Sequence, residues 1–246
     1  MEEFECIAQF NGKERNDRES TVLVLRINWE SLPGKHPAVF NPSKREVRFL
    51  PNLNEDCFLY NYSLGFEPEE KKYKVLLSTE HVREEHKKHW IFTLGIDESW
   101  RATQSIAPST SYFNHSVCIS GVIYQLINHR PAIAAFDVKS EKFTIIALWN
   151  TASRWVYDNE LIEVKGKLAV RDYVNSTSAY VQLRILEQTP KEVWKSQIIR
   201  FPSIWKDVHP RSVTSCVAPD GVIVFILNSR SGHLCLCYDV TRKNWR

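Results

Sequence analysis

The sequence has no run approaching the roughly 18 apolar residues that a membrane-spanning helix requires. Its N-terminus, MEEFECIAQF, lacks the basic segment and the long apolar core of a signal peptide. Six cysteines among 246 residues, with no secretory signal, are typical of reduced thiols. These absences predict a cytoplasmic or nuclear protein, or one present in both compartments, with no membrane partner.

The chain also lacks an excess of charge of either sign. Its 32 Lys and Arg residues nearly balance 29 Asp and Glu residues, so the formal net charge is +3. A protein that binds nucleic acid through its phosphates normally presents a strongly basic surface. We therefore expect no nucleic-acid partner.

The motifs of common catalytic chemistry are missing as well. The sequence contains no Gly-x-Ser-x-Gly elbow, no glycine-rich phosphate loop and no dinucleotide fingerprint. Carboxylate pairs occur, but they fall in polar turns and charged stretches rather than in an evident cleft. We expect a protein without catalytic residues, metal ligands or a cofactor.

Two groups of residues have side chains of the types that can bind metals, His and Cys. His81, His86 and His89 are spaced by five and three residues, unlike the i, i+4 pair of a metalloprotease helix, so we expect a solvated loop. Cys235 and Cys237 are two residues apart, which places both on one face of a strand. Zinc pairs usually use Cys-x-x-Cys with a second pair elsewhere. We expect both cysteines to be buried in a strand.

What the sequence does contain is a repeated hairpin. An apolar strand is followed by a polar turn and then by a second strand with an aromatic residue. The copies are AVFNPSKREVRFLP (38–51), SLGFEPEEKKYKVLL (63–77), WIFTLGIDESWRAT (90–103), AIAAFDVKSEKFTII (132–146), VQLRILEQTPKEVWKSQII (181–199) and LCLCYDVTRKNWR (234–246). Asn, Asp, Pro and Ser favour turns, and charged residues keep a hairpin tip in water. In the fourth copy we interpret Asp137, Lys139 and Glu141 as a solvated tip between two buried strands.

A second type of hairpin alternates with the first in the C-terminal half. It has a turn glycine between apolar runs, at Gly121, Gly166 and Gly221. Glycine readily adopts the positive φ that two-residue hairpin turns require. Two hairpins in roughly 50 residues form one four-stranded sheet, and that period is typical of a kelch-like propeller blade.

The predicted fold class is therefore all-β, a kelch-like β-propeller of four-stranded blades in a complete or incomplete ring. About five blades are recognisable, at about 20–52, 62–103, 114–148, 160–200 and 213–246. We expect one domain over 1–246, with 1–20 as a divergent or poorly ordered N-terminus. STVLVLRIN (20–28) is the best candidate for an N-terminal strand that completes the last blade.

One face of such a propeller would collect the loops between second and third strands and the connections between blades. These are INHRP (127–131), RWVY (154–157), YVNSTSA (173–179) and NSRSGH (228–233). Aromatic residues and Arg on loops are typical of protein-binding hot spots. The predicted protein-binding residues are Arg130, Arg154, Trp155, Tyr157 and Arg230.

Seven elements of the chain resemble, in order, elements of plant F-box-associated domains. AVFNPSKREVRFLP is similar to NPSTREFRxLP, SLGFEPEEKKYKVL to GFGYDPxxxDYKVV, and IFTLGIDESWRAT to VYSLGTxSWR. The other matching elements are SVCISGVIYQL, AAFDVKSEKFTII, VKGKLAV and RILEQTPKEVWKSQII, and together the seven cover about 38–200.

The resemblance implies a non-catalytic, propeller-like module that recognises an unknown protein substrate for an SCF-type ubiquitin ligase. Members of the family begin with an F-box, a Leu-Pro-rich helical segment that binds the ligase adaptor. MEEFECIAQFNGKERNDREST does not have that pattern, so we do not expect these residues to bind the adaptor. The alternatives are an F-box-less decoy or degenerate fragment without ligase coupling, and a propeller hydrolase or carbohydrate binder.

Overall fold

The structure, a computed structural model, describes residues 3–13, 19–28, 35–41, 44–53, 59–80, 88–104, 116–127, 132–148, 159–172, 180–188, 193–205, 212–218, 221–229 and 232–246. These residues contain twenty β-strands, arranged in five four-stranded antiparallel sheets. No helix among the described residues is long and apolar enough to cross a membrane.

The chain forms two compact units, and the first, Met1–Tyr157, contains three sheets. Sheet 1 consists of β1 (Glu3–Lys13), β2 (Glu19–Asn28), β3 (Lys35–Asn41) and β4 (Glu46–Phe49). Sheet 2 consists of β5 (Leu59–Glu67), β6 (Lys72–Glu80), β7 (Lys88–Thr93) and β8 (Arg101–Ala102). Sheet 3 consists of β9 (Val117–Ile119), β10 (Val122–Leu126), β11 (Ala132–Asp137) and β12 (Lys142–Ala147).

The second unit, Asp158–Arg246, contains two sheets. Sheet 4 consists of β13 (Glu160–Val164), β14 (Lys167–Arg171), β15 (Tyr180–Gln188) and β16 (Val193–Arg200). Sheet 5 consists of β17 (Ser212–Val217), β18 (Val222–Ser229), β19 (Gly232–Asp239) and β20 (Asn244–Trp245). In all five sheets the strands are neighbours in chain order, so each sheet is a simple up-and-down meander.

Four of the predicted blade segments coincide with sheets 2 to 5. The first, 20–52, contains only three strands of sheet 1, because β1 (Glu3–Lys13) lies in the stretch predicted as a divergent or poorly ordered N-terminus. A further part of the prediction is wrong: the segment 20–28 does not complete the last blade. It is β2, which pairs with β1 on one side and β3 on the other and so has no free edge for another sheet. Sheet 5 takes all four of its strands from the C-terminal part of the chain. The expectation of one domain over 1–246 stays a prediction.

The glycine hairpins have the predicted turns. Ser120 and Gly121 join β9 to β10 with φ values of 48° and 81°. Lys165 and Gly166 join β13 to β14 with φ values of 54° and 74°. Positive φ at both central residues is the mark of a type I′ turn, whose twist matches that of the paired strands.

The polar hairpins share a different loop. In sheets 1, 3 and 5 the residue that ends the third strand accepts a hydrogen bond from a backbone N–H three residues later. The acceptors are Asn41 (3.2 Å, from Lys44), Asp137 (2.6 Å, from Ser140) and Asp239 (3.0 Å, from Arg242). The residue before the next strand adopts a left-handed conformation, with φ of 54° to 57° at Arg45, Lys71, Glu141 and Lys243. The repeat seen in the sequence is therefore a repeat of loop geometry.

The apolar runs form the cores of the units. Leu76 of sheet 2 is buried together with Ile123 and Phe136 of sheet 3. At Gly65, on β5, a Cβ atom would lie 2.7 Å from Cγ2 of Val138 and 2.8 Å from Cδ1 of Ile123. The missing side chain thus allows sheets 2 and 3 to approach closely.

The aromatic residues that follow the polar turns join neighbouring sheets. Trp100, just before β8, donates its indole N–H to the carbonyl of Pro51, in the segment that leaves sheet 1 (2.6 Å). Trp245, on β20, donates in the same way to the carbonyl of Arg200, which ends β16 (2.9 Å). Contacts between neighbouring sheets therefore account for these two tryptophans.

Candidate protein-binding surface

The five predicted binding residues, Arg130, Arg154, Trp155, Tyr157 and Arg230, lie outside the described residues. The strands on either side of them are described. Arg130 lies in the chain between β10 and β11, and Arg230 lies between β18 and β19. The other three lie between β12 and β13, where sheet 3 is connected to sheet 4.

The two ends of each sheet carry different connections between strands. In an up-and-down antiparallel sheet, the turns between strands one and two and between strands three and four lie at the same end. We call this the hairpin end. The connection between strands two and three, and the connection to the next sheet, leave from the other end, which we call the loop end. All five predicted binding residues are on connections of the second kind.

The hairpin ends of sheets 2 and 3 are held together by charged groups. Arg101 donates from Nη1 to Oε2 of Glu141 at 2.5 Å and from Nη2 to Oε1. Lys74 donates from Nζ to Glu141 Oε1 and to the carbonyl of Val138, both at 2.8 Å. Lys139 pairs with Glu69 on the neighbouring hairpin tip. The sequence predicts that Glu141 is a solvated tip residue. In the structure its carboxylate accepts hydrogen bonds from two cationic side chains, Arg101 and Lys74.

These contacts fix the charge of Glu141. The hydrogen bond from Arg101, followed by the interactions with Lys74, holds the pKa of the Glu141 carboxyl below its ordinary value of 4.5. The same hydrogen bond raises the pKa of Arg101. At the hairpin end of sheets 2 and 3, Glu141 is thus paired with Arg101 and Lys74, and Lys139 is paired with Glu69.

A buried ion pair lies at the loop end in the second unit. Glu160, the first residue of β13, accepts from Arg171 Nε at 2.8 Å and from Ser215 Oγ at 2.6 Å. Arg171, the last residue of β14, is only 4% exposed and also donates to the carbonyl of Val213 on β17 at 3.2 Å. The pair ties the start of β13 and the end of β14 to sheet 5. It therefore fixes the points where two predicted binding loops, 154–157 and 173–179, join the scaffold.

A second polar contact lies beside that pair. Arg184 on β15 donates to Asp172, which directly follows β14, at 3.1 Å. Burial raises the pKa of the Asp172 carboxyl and lowers the pKa of Arg184, because both charges are partly removed from water. Asp172, the residue immediately before the 173–179 connection, is thus also anchored.

Buried polar contacts lie at the loop end in the first unit as well. Gln125, near the end of β10, donates to Ser63 Oγ at 2.7 Å. His89, near the start of β7, forms a hydrogen bond between Nδ1 and Ser78 Oγ at 2.9 Å, and its ring lies 5.0 Å from that of Phe143. The expectation that His89 belongs to a solvated loop is wrong, because strand pairing places it opposite Ser78 in the interior. His81 and His86 lie outside the described residues.

A serine bonded to a histidine has the chemistry of a nucleophile and its base. Here Ser78 is 0% exposed and His89 is 4% exposed, so both side chains are closed off from solvent. The hydrogen bond instead joins two buried polar atoms, Ser78 Oγ and His89 Nδ1, on the paired strands β6 and β7. Among the described residues, no group of three or more His, Cys, Asp and Glu side chains is placed to hold a metal ion.

The cysteine pair is on one face of β19, as predicted, but that face is not the core face. Cys235 is exposed and Cys237 is half-buried, so the expected burial is wrong. The alternate residues Leu234 and Leu236 pack against the core of the second unit and pair with Leu227 and Phe225. Because strand residues alternate between faces, the cysteines must point away from that core.

The polar groups at the loop ends were not found from the sequence. Arg171 and Glu160 are eleven residues apart and belong to a hairpin, so a cross-strand pair was a readable signal. Their contacts to β17 have no local signature.

A family model described as an F-box associated beta propeller domain matches residues 18–246. The putative F-box protein At1g47765 of Arabidopsis thaliana is 30% identical over 96% of this chain and 64% of its own length. The F-box protein At1g30790 of the same plant is 32% identical over 70% of this chain and 47% of its own length. The chain thus spans about half to two thirds of the length of these relatives.

Solved structures resemble the chain in fold alone. YjhT has a TM-score of 0.53 at 8% identity, over 98% of this chain and 83% of that chain. TolB from Acinetobacter baumannii has a TM-score of 0.51 at 8% identity, over 97% of this chain and 67% of that chain. Together with the family match, these likenesses agree with the predicted propeller class.

Proposed function

Because the chain belongs to the F-box associated beta propeller family, we propose that it is a non-catalytic module that binds a protein substrate through its loop ends. The predicted contact residues are Arg130, Arg154, Trp155, Tyr157 and Arg230. Arg and aromatic side chains supply most of the binding energy in many protein interfaces. No cofactor is needed for such binding.

The observation that supports this proposal most is the contrast between the two ends of the sheets. At the hairpin end of sheets 2 and 3, charged side chains such as Arg101 and Glu141 are bound to one another. At the loop end buried polar groups such as Arg171 and Glu160 hold the strands from which the loops leave. Rigid strands that carry variable loops are a common arrangement for recognition, because little order is lost on binding.

We further propose that this module acts as the substrate-recognition part of an SCF-type ubiquitin ligase in the cytoplasm, the nucleus or both. The support is that its relatives are F-box proteins of which it covers only part. Ubiquitin transfer would then be carried out by other subunits. Binding of the substrate without the ligase adaptor would instead indicate the decoy function.

The test is affinity capture from Arabidopsis extract with three versions of the chain as bait. These are the wild type, a loop-end variant with Arg154, Trp155 and Tyr157 changed to Ala, and a hairpin-end variant with Glu69 and Lys139 changed to Ala. We expect one or more proteins to be retained by the wild type and the hairpin-end variant and lost with the loop-end variant. Equal capture by all three baits, or capture by none, contradicts the proposal.

Coupling to the ligase has its own test. Purified ligase adaptor is mixed with the 246-residue chain and with a full-length F-box relative as a positive control. Binding of the adaptor by this chain supports direct coupling through these residues. If the adaptor binds only to the relative, direct coupling of this chain to the ligase is contradicted, whereas the proposal of substrate recognition is unaffected.

A further inference from the structure

Three exposed side chains lie together at the loop end of sheet 4, on the strands themselves rather than on the loops. Tyr180 is the first residue of β15, Arg200 is the last residue of β16, and the two are paired directly across the strands. Directly opposed residues share one face of a sheet, with Cβ atoms about 4.5–5.5 Å apart. Ile198 lies two residues before Arg200 and is therefore on the same face. We call these three residues the β15–β16 patch.

The patch is on the face of sheet 4 that points away from the core of the second unit. Val181 and Ile199, which alternate with the patch residues along the strands, are buried in that core. Tyr180 is instead 48% exposed and Ile198 is 56% exposed, and Arg200 is exposed as well. Exposed apolar side chains that are neighbours, with a charged group at their border, are typical of a protein-binding surface.

The polar side chains beside the patch are already bound to one another. Arg184 donates to Asp172 at 3.1 Å and to Gln182 Oε1 at 3.2 Å. Gln182 in turn donates from Nε2 to Ser196 Oγ at 2.5 Å, and both residues share the face of the patch. Among the described residues, no carboxylate pairs with the guanidinium of Arg200. The patch thus presents a cation that a partner's carboxylate can neutralise.

The backbone beneath the patch is held in place. Pairing between β15 and β16 extends to Tyr180 and Arg200, and the carbonyl of Arg200 also accepts the Trp245 indole N–H at 2.9 Å. Side chains carried by paired strands lose less conformational freedom on binding than side chains on loops do. The patch therefore offers a preformed contact next to the 173–179 connection, which Tyr180 directly follows.

We infer that the β15–β16 patch is part of the surface that binds the protein substrate, and that it takes an apolar side chain next to an Asp or Glu carboxylate. The apolar side chain would pack against Ile198 and the ring of Tyr180. The carboxylate would pair with Arg200, because a guanidinium can donate two parallel hydrogen bonds to a carboxylate. Tyr and Arg are also enriched among the residues that dominate binding energy in protein interfaces. This inference rests on the proposed function, since it assigns further contacts to the same loop ends.

The probe is the photo-crosslinking amino acid p-benzoylphenylalanine, placed at position 198 of the complete chain. The chain is irradiated in Arabidopsis extract, and the crosslinked peptides are sequenced by mass spectrometry. We expect a crosslink to a protein segment that has an apolar residue next to Asp or Glu. The matched control has the same probe at position 193, because Val193 is also exposed (46%) but lies on the other face of β16. It should not crosslink to that segment.

Reversal of one charge tests the role of the carboxylate. In the chain with the probe at position 198, Arg200→Glu should lower the yield of the crosslink by about tenfold. Lys195→Glu makes the same change of charge on the other face of β16 and should leave the yield unchanged. If Arg200→Glu fails to fold, the sequence of the crosslinked segment still decides the result without that variant.

Four results would each overturn the inference: equal loss with the two charge variants, equal crosslinking from position 193, a crosslinked segment without a carboxylate, or a crosslink between two copies of this chain. The outcome is also distinguishable from failure of the proposed function. No crosslink from position 198, with capture by the wild type that depends on Arg154, Trp155 and Tyr157, overturns the inference and leaves the proposed function in place. Capture of no protein by the wild type overturns both.

Discussion

Arg101 and Glu141 form a two-pronged ion pair that joins the hairpin end of sheet 2 to that of sheet 3. The two residues are 40 positions apart in the chain. Glu141 lies at the tip of the best-matching copy of the repeated hairpin, in a left-handed conformation. The hairpin tips are therefore part of how neighbouring sheets are held, and several consequences can be measured.

Removal of this contact should destabilise the first unit. Arg101→Ala leaves Glu141 with Lys74 as its remaining cation, and we expect a loss of about 1 kcal/mol in the free energy of unfolding, at the upper end for an exposed pair. Arg242→Ala is the control, since Arg242 is highly exposed and lies 3.8 Å from Asp239. Urea unfolding measures both; a loss no larger for Arg101 than for Arg242 would contradict the structural role of the pair.

The same pair predicts a dependence on pH. The folded-state pKa of Glu141 is below its ordinary value of 4.5, so its stabilisation is fully present above pH 4.5 and is lost as the pH falls through the folded-state pKa. Glu141→Gln should therefore lower the melting temperature at pH 7, and the difference from the wild type should shrink below pH 4.5. A difference that stays constant across that range would show that the charge of Glu141 is not what stabilises the contact.

Gly65 should not tolerate a side chain. A Cβ atom there would overlap Val138 and Ile123, both of which are fully buried, so Gly65→Ala is expected to destabilise the chain by about 1–3 kcal/mol. The control is Gly166→Asn, at a turn position with φ of 74° and no atom within 4 Å of the added Cβ. Asn tolerates positive φ, so this variant should change stability little. Equal melting temperatures for wild type and Gly65→Ala would refute the close approach of sheets 2 and 3.

The buried pair of Arg171 and Glu160 should show strong coupling. Arg171→Met alone leaves the Glu160 carboxylate half-buried without its cation, and we expect a cost of about 3–5 kcal/mol. Changing Glu160 to Gln in addition removes the stranded charge, so the double variant should be more stable than Arg171→Met. Chemical denaturation of the two single variants and the double variant gives the interaction energy. Additive losses would mean that the two side chains do not depend on each other.

The strands and hairpins could be predicted because their signals are local. In AIAAFDVKSEKFTII the apolar runs, Asp137 and the polar turn lie within fifteen residues, and the structure places a hairpin there. The glycine turns carry the same kind of short-range information, since only a few residue types favour positive φ. The number and spacing of the sheets followed from counting these hairpins.

The contacts between sheets could not be predicted because they depend on register over long distances. Nothing near Glu141 in the sequence indicates Arg101, and nothing near Arg171 indicates Val213. The prediction that His89 lies in a solvated loop was wrong for a related reason. Its neighbours in the sequence are charged, but strand pairing places it opposite Ser78 in the interior. For Cys235 and Cys237 the shared face was predictable from their spacing, whereas which face lies on the core depends on the whole strand. The five predicted binding residues of the loops lie outside the described residues, so their role in binding stays a prediction.

Hydrogen exchange of the complex tests the central claim, substrate binding through the loop ends, most directly. The chain is compared alone and bound to a protein retained in the capture experiment, with peptides that cover both ends of the sheets. We predict that the partner slows exchange in 128–131 and 151–157, while the hairpin tips at 138–141 and 240–243 exchange as before. Slower exchange confined to those tips, or no change at 128–131 and 151–157, would contradict recognition through the loop ends.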